Sequence, residues 1–355
     1  MRERVEHVTA RDESAGAAGD LALFDRFPLL RKVPRASLCT LPSPLELLPS
    51  ISPGAELWIK RDDLNSDVCG GNKVRSLEFL LGEVKPGDTL VTVGGAGSTH
   101  VLAASIHASR LGATTIAQRW THDMNPVAVS VSSEIERLIP HQPVRRATSI
   151  ALAVARYRSI TGRARYIPIG GATPVGALGH VNAALELAAQ IRRNEMPMPA
   201  CIVLPLGSGG TAAGMLVGLA IAGLPVEIVG ARVGPRLVVN RLRVLSLARR
   251  TRTFIEAVTG ERLPSVDRSR LRIVHQVYGG AYGRPFAPAT KAAKILHSQA
   301  AILLDDTYSA KAWAAALDEC RTSRGPVLFW LTFDARCLTN SRSTFTPVTA
   351  TRPGT

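Results

Sequence analysis

The sequence has little of what several protein classes depend on. Five cysteines occur in 355 residues, at positions 39, 69, 201, 320 and 337. Their number is odd, their spacing is wide and no C-x-x-C occurs, which argues against a disulfide framework and a cysteine zinc site. Aromatic residues make up 5% and do not interleave with the densest basic run, so the stacking platform of a single-strand nucleic-acid binder is missing. The longest apolar stretch, TAAGMLVGLAIAGL at 211–224, falls short of the ~20 residues that span a bilayer and reads as a buried helix, with no membrane partner. Residues 1–20 carry charges but no continuous apolar core, so they read as a disordered leader rather than a secretory signal, and a cytoplasmic protein is expected. There is no Walker loop either, because Lys73 lacks the preceding glycine spacing and a following Ser or Thr. No internal repeat is visible.

What is present is a globular composition, 46% hydrophobic and 20% charged, of a length that suits two domains at ~100–200 residues each. The formal charge is +15, yet the basic residues are spread along the chain. In the densest run, NRLRVLSLARRTRTF at 240–254, Leu242, Val244, Leu245 and Leu247 are spaced to share a buried helix face with the arginines in water. That is a solvated amphipathic helix, and no nucleic-acid partner is expected.

From about residue 57, short β-branched runs alternate with helical patterns: ELWIKRDD, TLVTVGG, TTIAQRW, RYIPIGG, CIVLPLGSGG, VEIVGARV and PVLFWLT each precede or follow a helical segment. This alternation predicts an α/β fold of parallel sheets covered by helices on both faces. Three strands end in glycines just before a helix, at 91–100, 167–176 and 204–214. Ligands collect at such strand ends, where helix N-termini present unpaired N–H groups, so three anion seats are expected along one edge. The tail from residue 340 has no apolar period and reads as disordered.

The loop Gly207-Ser208-Gly209-Gly210-Thr211 combines backbone access, two hydroxyls and a helix start, which suits a phosphate. Gly207, Gly209 and Ala212 with Glu227 also fit a loose dinucleotide pattern. Ser98-Thr99-His100 follows a strand and could seat a carboxylate, although Ser and Thr are also ordinary helix caps. His100 and His107 stand seven apart, which does not suit a metal pair, and no metal is assigned. In CGGNKVRSLEF, two glycines and Asn72 precede Lys73 at a helix entrance. A lysine, a phosphate loop and a carboxylate seat are the parts that pyridoxal 5'-phosphate requires.

The blocks LWIKRDDLNSDVCGGNKVRSLEFLL, TLVTVGGAGSTH, GGATPVGALGHVNAALELA, LPLGSGGTAAG, VYGGAYGRP, LLDDTYSAKAWAAAL and VLFWLT resemble, in this order, the 1-aminocyclopropane-1-carboxylate deaminase and D-cysteine desulfhydrase family. The resemblance runs from about residue 22 to 338. It implies a tryptophan synthase β-like fold with a larger cofactor domain, 21–75 plus 186–339, and a smaller inserted α/β domain, 76–185. It implies a lyase or deaminase that releases an oxo acid and ammonia from a small amino acid, with β-replacement, racemisation or a turnover-dead cofactor-binding protein as alternatives, and it implies a homodimer. By the same resemblance Lys73 is the Schiff-base lysine, 207–211 the phosphate loop, and Ser98, Tyr282 and Tyr308 catalytic residues, while Asn72, Thr99, Ser309 and Thr332 contact the cofactor. The chain departs from the family at Thr99, where relatives have Asn, at Ser76, at SAK for (T/E)GK, and at LTFDA for HTGG. Phe333 and Asp334 are therefore expected to narrow the pocket and to favour a larger or cationic substrate.

Overall fold

A computed structural model describes residues 21–48, 56–141, 143–146 and 150–338; the expected leader at 1–20 and tail at 340–355 lie outside these. The chain runs from α1 (Ala22–Arg26) through the antiparallel strands β1 (Leu45–Leu47) and β2 (Leu57–Arg61) into α2 (Asn72–Leu80). The next elements are β3 (Thr89–Gly95), α3 (Thr99–Arg110), β4 (Thr114–Trp120), α4 (Pro126–Leu138), β5 (Val144–Arg145), α5 (Ile150–Arg158) and β6 (Ala164–Ile167). α6 (Pro174–Arg192) leads back to β7 (Cys201–Leu206), α7 (Gly210–Ala222), β8 (Glu227–Arg232), α8 (Arg241–Thr259) and β9 (Leu271–Val274). The described chain then passes through α9 (Ala287–Ala300), α10 (Ser309–Cys320) and β10 (Val327–Leu331).

The strands form two sheets, of order β1-β2-β10-β7-β8-β9 and β5-β4-β3-β6. Apart from the β1–β2 pair, every pairing is parallel. β7 and β10 are buried along their whole length, which is why CIVLPL and VLFWL read as continuous apolar runs instead of alternating. The smaller sheet is drawn wholly from residues between Thr89 and Ile167. The expected domain boundaries at 75/76 and 185/186 fall inside α2 and α6; α6 packs on α7, while α2 packs both on α6 and, through Leu77, on α3 of the smaller layer.

α7 is apolar all round and almost entirely buried, as such a helix must be. It packs directly on α6 because Gly214 and Gly218 leave room: an added Cβ would lie 2.4 Å from the Ala177 carbonyl and 2.6 Å from the Ala184 Cβ. In α8 the buried face is Val244, Leu247, Ala248, Thr251 and Ile255. Leu242, expected on that face, is instead 81% exposed. It lies two residues past the Asn240 cap, on the far side of the helix from Val244 and Ala248.

One polar cluster crosses this core. Arg75 of α2 donates to Asp62 (2.9 and 2.7 Å) and to Glu186 of α6 (2.9 and 3.1 Å), while Lys60 of β2 reaches Glu186 at 2.7 Å. Trp330 Nε1 of β10 completes the cluster on Asp62 at 2.7 Å. Two cations and two carboxylates balance here, and all are nearly sealed from water. Burial raises the Glu186 carboxyl, but Arg75 and Lys60 outweigh it and hold the group down to about 2. The result is that α2 is clamped two residues beyond Lys73.

Candidate active site

Strand ends from both sheets meet at one cavity of about 340 Å³. Gly94 and Gly95 of β3, Trp120 of β4 and Gly170 beyond β6 face it from the smaller sheet. Leu206 and Gly207 at the end of β7, Val233 after β8, and Thr332 and Phe333 after β10 face it from the larger. The three glycine-ended strands thus converge, though on two sheets that oppose each other and not on one edge.

Lys73 is the single lysine lining this cavity among the described residues. Lys60 and Lys311 are fully buried elsewhere, on Glu186 and on the Tyr278 carbonyl. No carboxylate pairs with Lys73 among the described residues, and burial lowers its amine from 10.5 to about 8. A substantial neutral fraction near neutrality is what a nucleophilic amine requires. Gly170 lies against it: a Cβ there would stand 2.3 Å from Ser208 Oγ and 3.4 Å from Lys73 Nζ, so any side chain would intrude between the lysine and the glycine loop.

The loop from Gly207 leads straight into α7. Its N-cap, Gly209, has φ +87° and provides no side-chain cap, so the first N–H groups of α7 are left for an anion. Asn72 Nδ2 donates to Thr211 Oγ1 at 2.8 Å, tying the lysine helix to this loop. His180 of α6, which the sequence reading passed over, lies within hydrogen-bond reach of both Ser76 Oγ (2.9 Å) and Thr211 Oγ1 (3.3 Å). Burial pushes its imidazole well below the usual range, so it acts as a neutral spacer. Ser76 accordingly serves this packing network.

Ser98 caps α3, accepting from the Val101 N–H at 3.4 Å, and also lines the cavity beside Thr99. The third member of that triplet, His100, is 4% exposed, and its Nδ1 has no partner among the described residues. Burial, aided by the Lys73 charge, lowers it to about 3. His107 turns away to the Cys69 carbonyl, and no cluster of metal-binding side chains occurs among the described residues. Opposite stand Tyr282 and Tyr308, whose hydroxyls are hydrogen-bonded to each other. Burial raises both phenols, Tyr282 to about 12. Asp305 holds the Tyr308 turn by accepting from the Tyr308 and Ser309 N–H groups at 2.7 and 3.1 Å.

Three expectations change. Ser309 does not line the cavity; it is fully buried in the first turn of α10 under Asp305. Asp334 does not enter it either, because it accepts from Arg336 and from the Gly70 N–H and is 2% exposed. Phe333 does line the cavity, so the altered floor adds an aromatic wall without a charge. Glu227 opens β8, paired in register with Cys201 at the start of β7, and bridges to Arg272. It therefore lies at the opposite end of the sheet from the glycine loop, and the dinucleotide pattern is accidental.

A lysine with a lowered pKa, an uncapped helix start and a glycine cradle, set between two parallel sheets, define an α/β enzyme built for a phosphorylated aldehyde cofactor. The chain belongs to the pyridoxal-phosphate dependent enzyme family, which matches residues 36–332, and its fold is tryptophan synthase β-like. It is 36% identical over 324 residues to the nocardicin C-9' epimerase of Nocardia uniformis, covering 86% of this chain and 94% of that one. It is 32% identical over 320 residues to the D-cysteine desulfhydrase of Salmonella paratyphi A, covering 84% and 94%. A solved ACC deaminase homologue superposes with a TM-score of 0.73 at 27% identity, over 88% of this chain and 95% of that one.

Proposed function

We propose that this enzyme is a lyase or deaminase that converts a small amino acid to an oxo acid and ammonia. The observation that carries the reading is Lys73: it lines the cavity, has no carboxylate partner among the described residues, and stands beside the uncapped start of α7. In this reading Lys73 holds pyridoxal phosphate, and Gly207–Thr211 with Asn72 hold its phosphate end. Thr99 and Thr332, which line the same cavity, would hold the ring, and Ser98 would orient the substrate carboxylate. When bound, the cofactor supplies an electron sink for the bond broken at the substrate α-carbon. The Lys73 amine takes up and returns protons near neutral pH. The Tyr282–Tyr308 pair, with phenols raised by burial, stays protonated and can donate to a leaving group. Trp120 and Phe333 restrict water. A substrate that gives its α-proton to Lys73 and loses a β-substituent with its bonding electrons would be left as an enamine, whose imine tautomer adds water to give the oxo acid and ammonia.

A second reading, epimerisation, is favoured by the similarity to nocardicin C-9' epimerase and by two kinds of proton-carrying group, an amine and a phenol pair, on one cavity. Incubating the holoenzyme with D- and L-amino acids in deuterated water separates the two. Oxo acid and ammonia support the lyase; deuterium at the α-carbon without ammonia supports the epimerase. Cofactor spectral changes with neither product would indicate a turnover-dead protein. For the neutral cavity wall around Phe333, an uncharged substrate is expected to outperform a cationic one. We further propose a cytoplasmic homodimer with no nucleic-acid partner, whose smaller domain is centred on the β3–β6 sheet. Free cysteines at all five positions are consistent with a reducing compartment. Among the described residues no helix is long and apolar enough to cross a membrane.

A further inference from the structure

The segment after β4 does more than close the smaller sheet. Four of its groups reach the loops of the larger sheet that carry the two tyrosines. The His122 ring packs on the Tyr282 ring with centroids 4.7 Å apart. Asp123 accepts from Arg284 Nε at 2.7 Å. The Asp123 carbonyl runs so close to Gly283 (φ +85°) that a Cβ there would stand 1.9 Å away, so the contact is between backbones and requires glycine. Asn125 supplies the buried link: its Nδ2 donates both to the Gly283 carbonyl at 2.9 Å and to Thr307 Oγ1 at 2.8 Å. Its Oδ1 caps α4 on the Ala128 N–H at 2.9 Å.

Gly283 follows Tyr282 and Thr307 precedes Tyr308, so a single amide from the smaller sheet grips the backbone beside one tyrosine and the side chain beside the other. The Arg284–Asp123 pair is exposed on both sides and contributes little. Asn125 is 3% exposed, where a lost donor leaves buried acceptors unsatisfied. We propose that Asn125 is a positioning residue for the tyrosine pair, assembling Tyr282 and Tyr308 against each other when the segment 121–125 is seated. The inference rests on the reading of those tyrosines as active-site groups. It adds that their placement is controlled from the opposite sheet.

The test compares Asn125→Ser and Asn125→Asp in the full chain, with cofactor bound and with it removed. Both keep an oxygen that caps α4, and both lose the two amide donors. In the cofactor-free protein we expect faster hydrogen exchange across residues 279–284. Phenolate should also appear at lower pH than in the wild type, as Tyr282, held near 12 in the wild type by burial, with the Asp305 charge adding to the rise, becomes wetter. In the holoenzyme, turnover should fall about tenfold with KM little changed, and the same substitution in a Tyr282→Phe background should cost nothing further. Wild-type exchange and titration in both variants, or losses that multiply independently of Tyr282→Phe, would overturn the proposal. A wild-type protein that turns over no amino acid would refute the lyase reading, while exchange and titration still decide the role of Asn125.

Discussion

Replacing Glu186 with glutamine removes one of two carboxylates that neutralise Arg75 and Lys60 in a site closed to water. The wild-type carboxyl falls from an ordinary 4.5 to about 2 in the fold. That lowering corresponds to about 3 kcal/mol of stabilisation of the ionised form. It agrees with the ~3–5 kcal/mol lost when one partner of a buried ion pair is removed. The assay is urea unfolding of the cofactor-free protein, where Glu186→Gln should lower stability by about 3 kcal/mol at pH 7. Because the folded pKa lies below the unfolded one, this stabilisation is complete above about pH 4.5 and fades as the pH falls towards 2. The gap between the two proteins should therefore narrow on acidification. A gap under ~1 kcal/mol at pH 7, or one that stays constant as the pH falls, would refute the reasoning. Since Arg75 lies two residues beyond Lys73 on α2, the variant should also retain pyridoxal phosphate less well.

The other predictions concern the cofactor seat. Capture of pyridoxal phosphate by the stripped protein needs a neutral amine, so its rate should climb with pH and level off above about 8, the value to which burial brings Lys73. A rise that continues towards 10.5 would show an ordinary exposed lysine. Borohydride reduction followed by peptide mapping should place the label on Lys73, and Lys73→Ala should abolish the visible absorbance; a label on Lys60 or Lys311 contradicts the assignment. Gly209→Val forces a β-branched residue to φ +87° with the Val244 Cγ2 3.1 Å from its Cβ, so it should sharply weaken cofactor retention while the fold persists. Unchanged retention would reduce the loop to packing.

The features legible in the sequence are those written locally. Strand–helix alternation with glycines at strand ends announced the parallel α/β fold, because periodicity and helix-start chemistry act over a few residues. Lys73 between a glycine pair and a helix, and the 207–211 loop before the apolar α7, stood out for the same reason. The charge at Asp334 could not be placed in this way: beside its local partner Arg336, two positions on, its direction is set by the Gly70 N–H 264 positions away, a contact that follows from the insertion of β10 between β2 and β7. Glu227 looked near enough to a glycine loop until strand register put it at the other end of the sheet. His180, Trp120 and Asn125 carry no motif of their own. Each becomes part of the site through packing of α6 on α2 and α7, or through the smaller sheet folding its β4 end onto the loops of the larger. Sequence alone determined which chemical groups the chain has and which local turns present them; long-range strand order decided which of those groups face one another, because that order depends on burial summed over the whole chain.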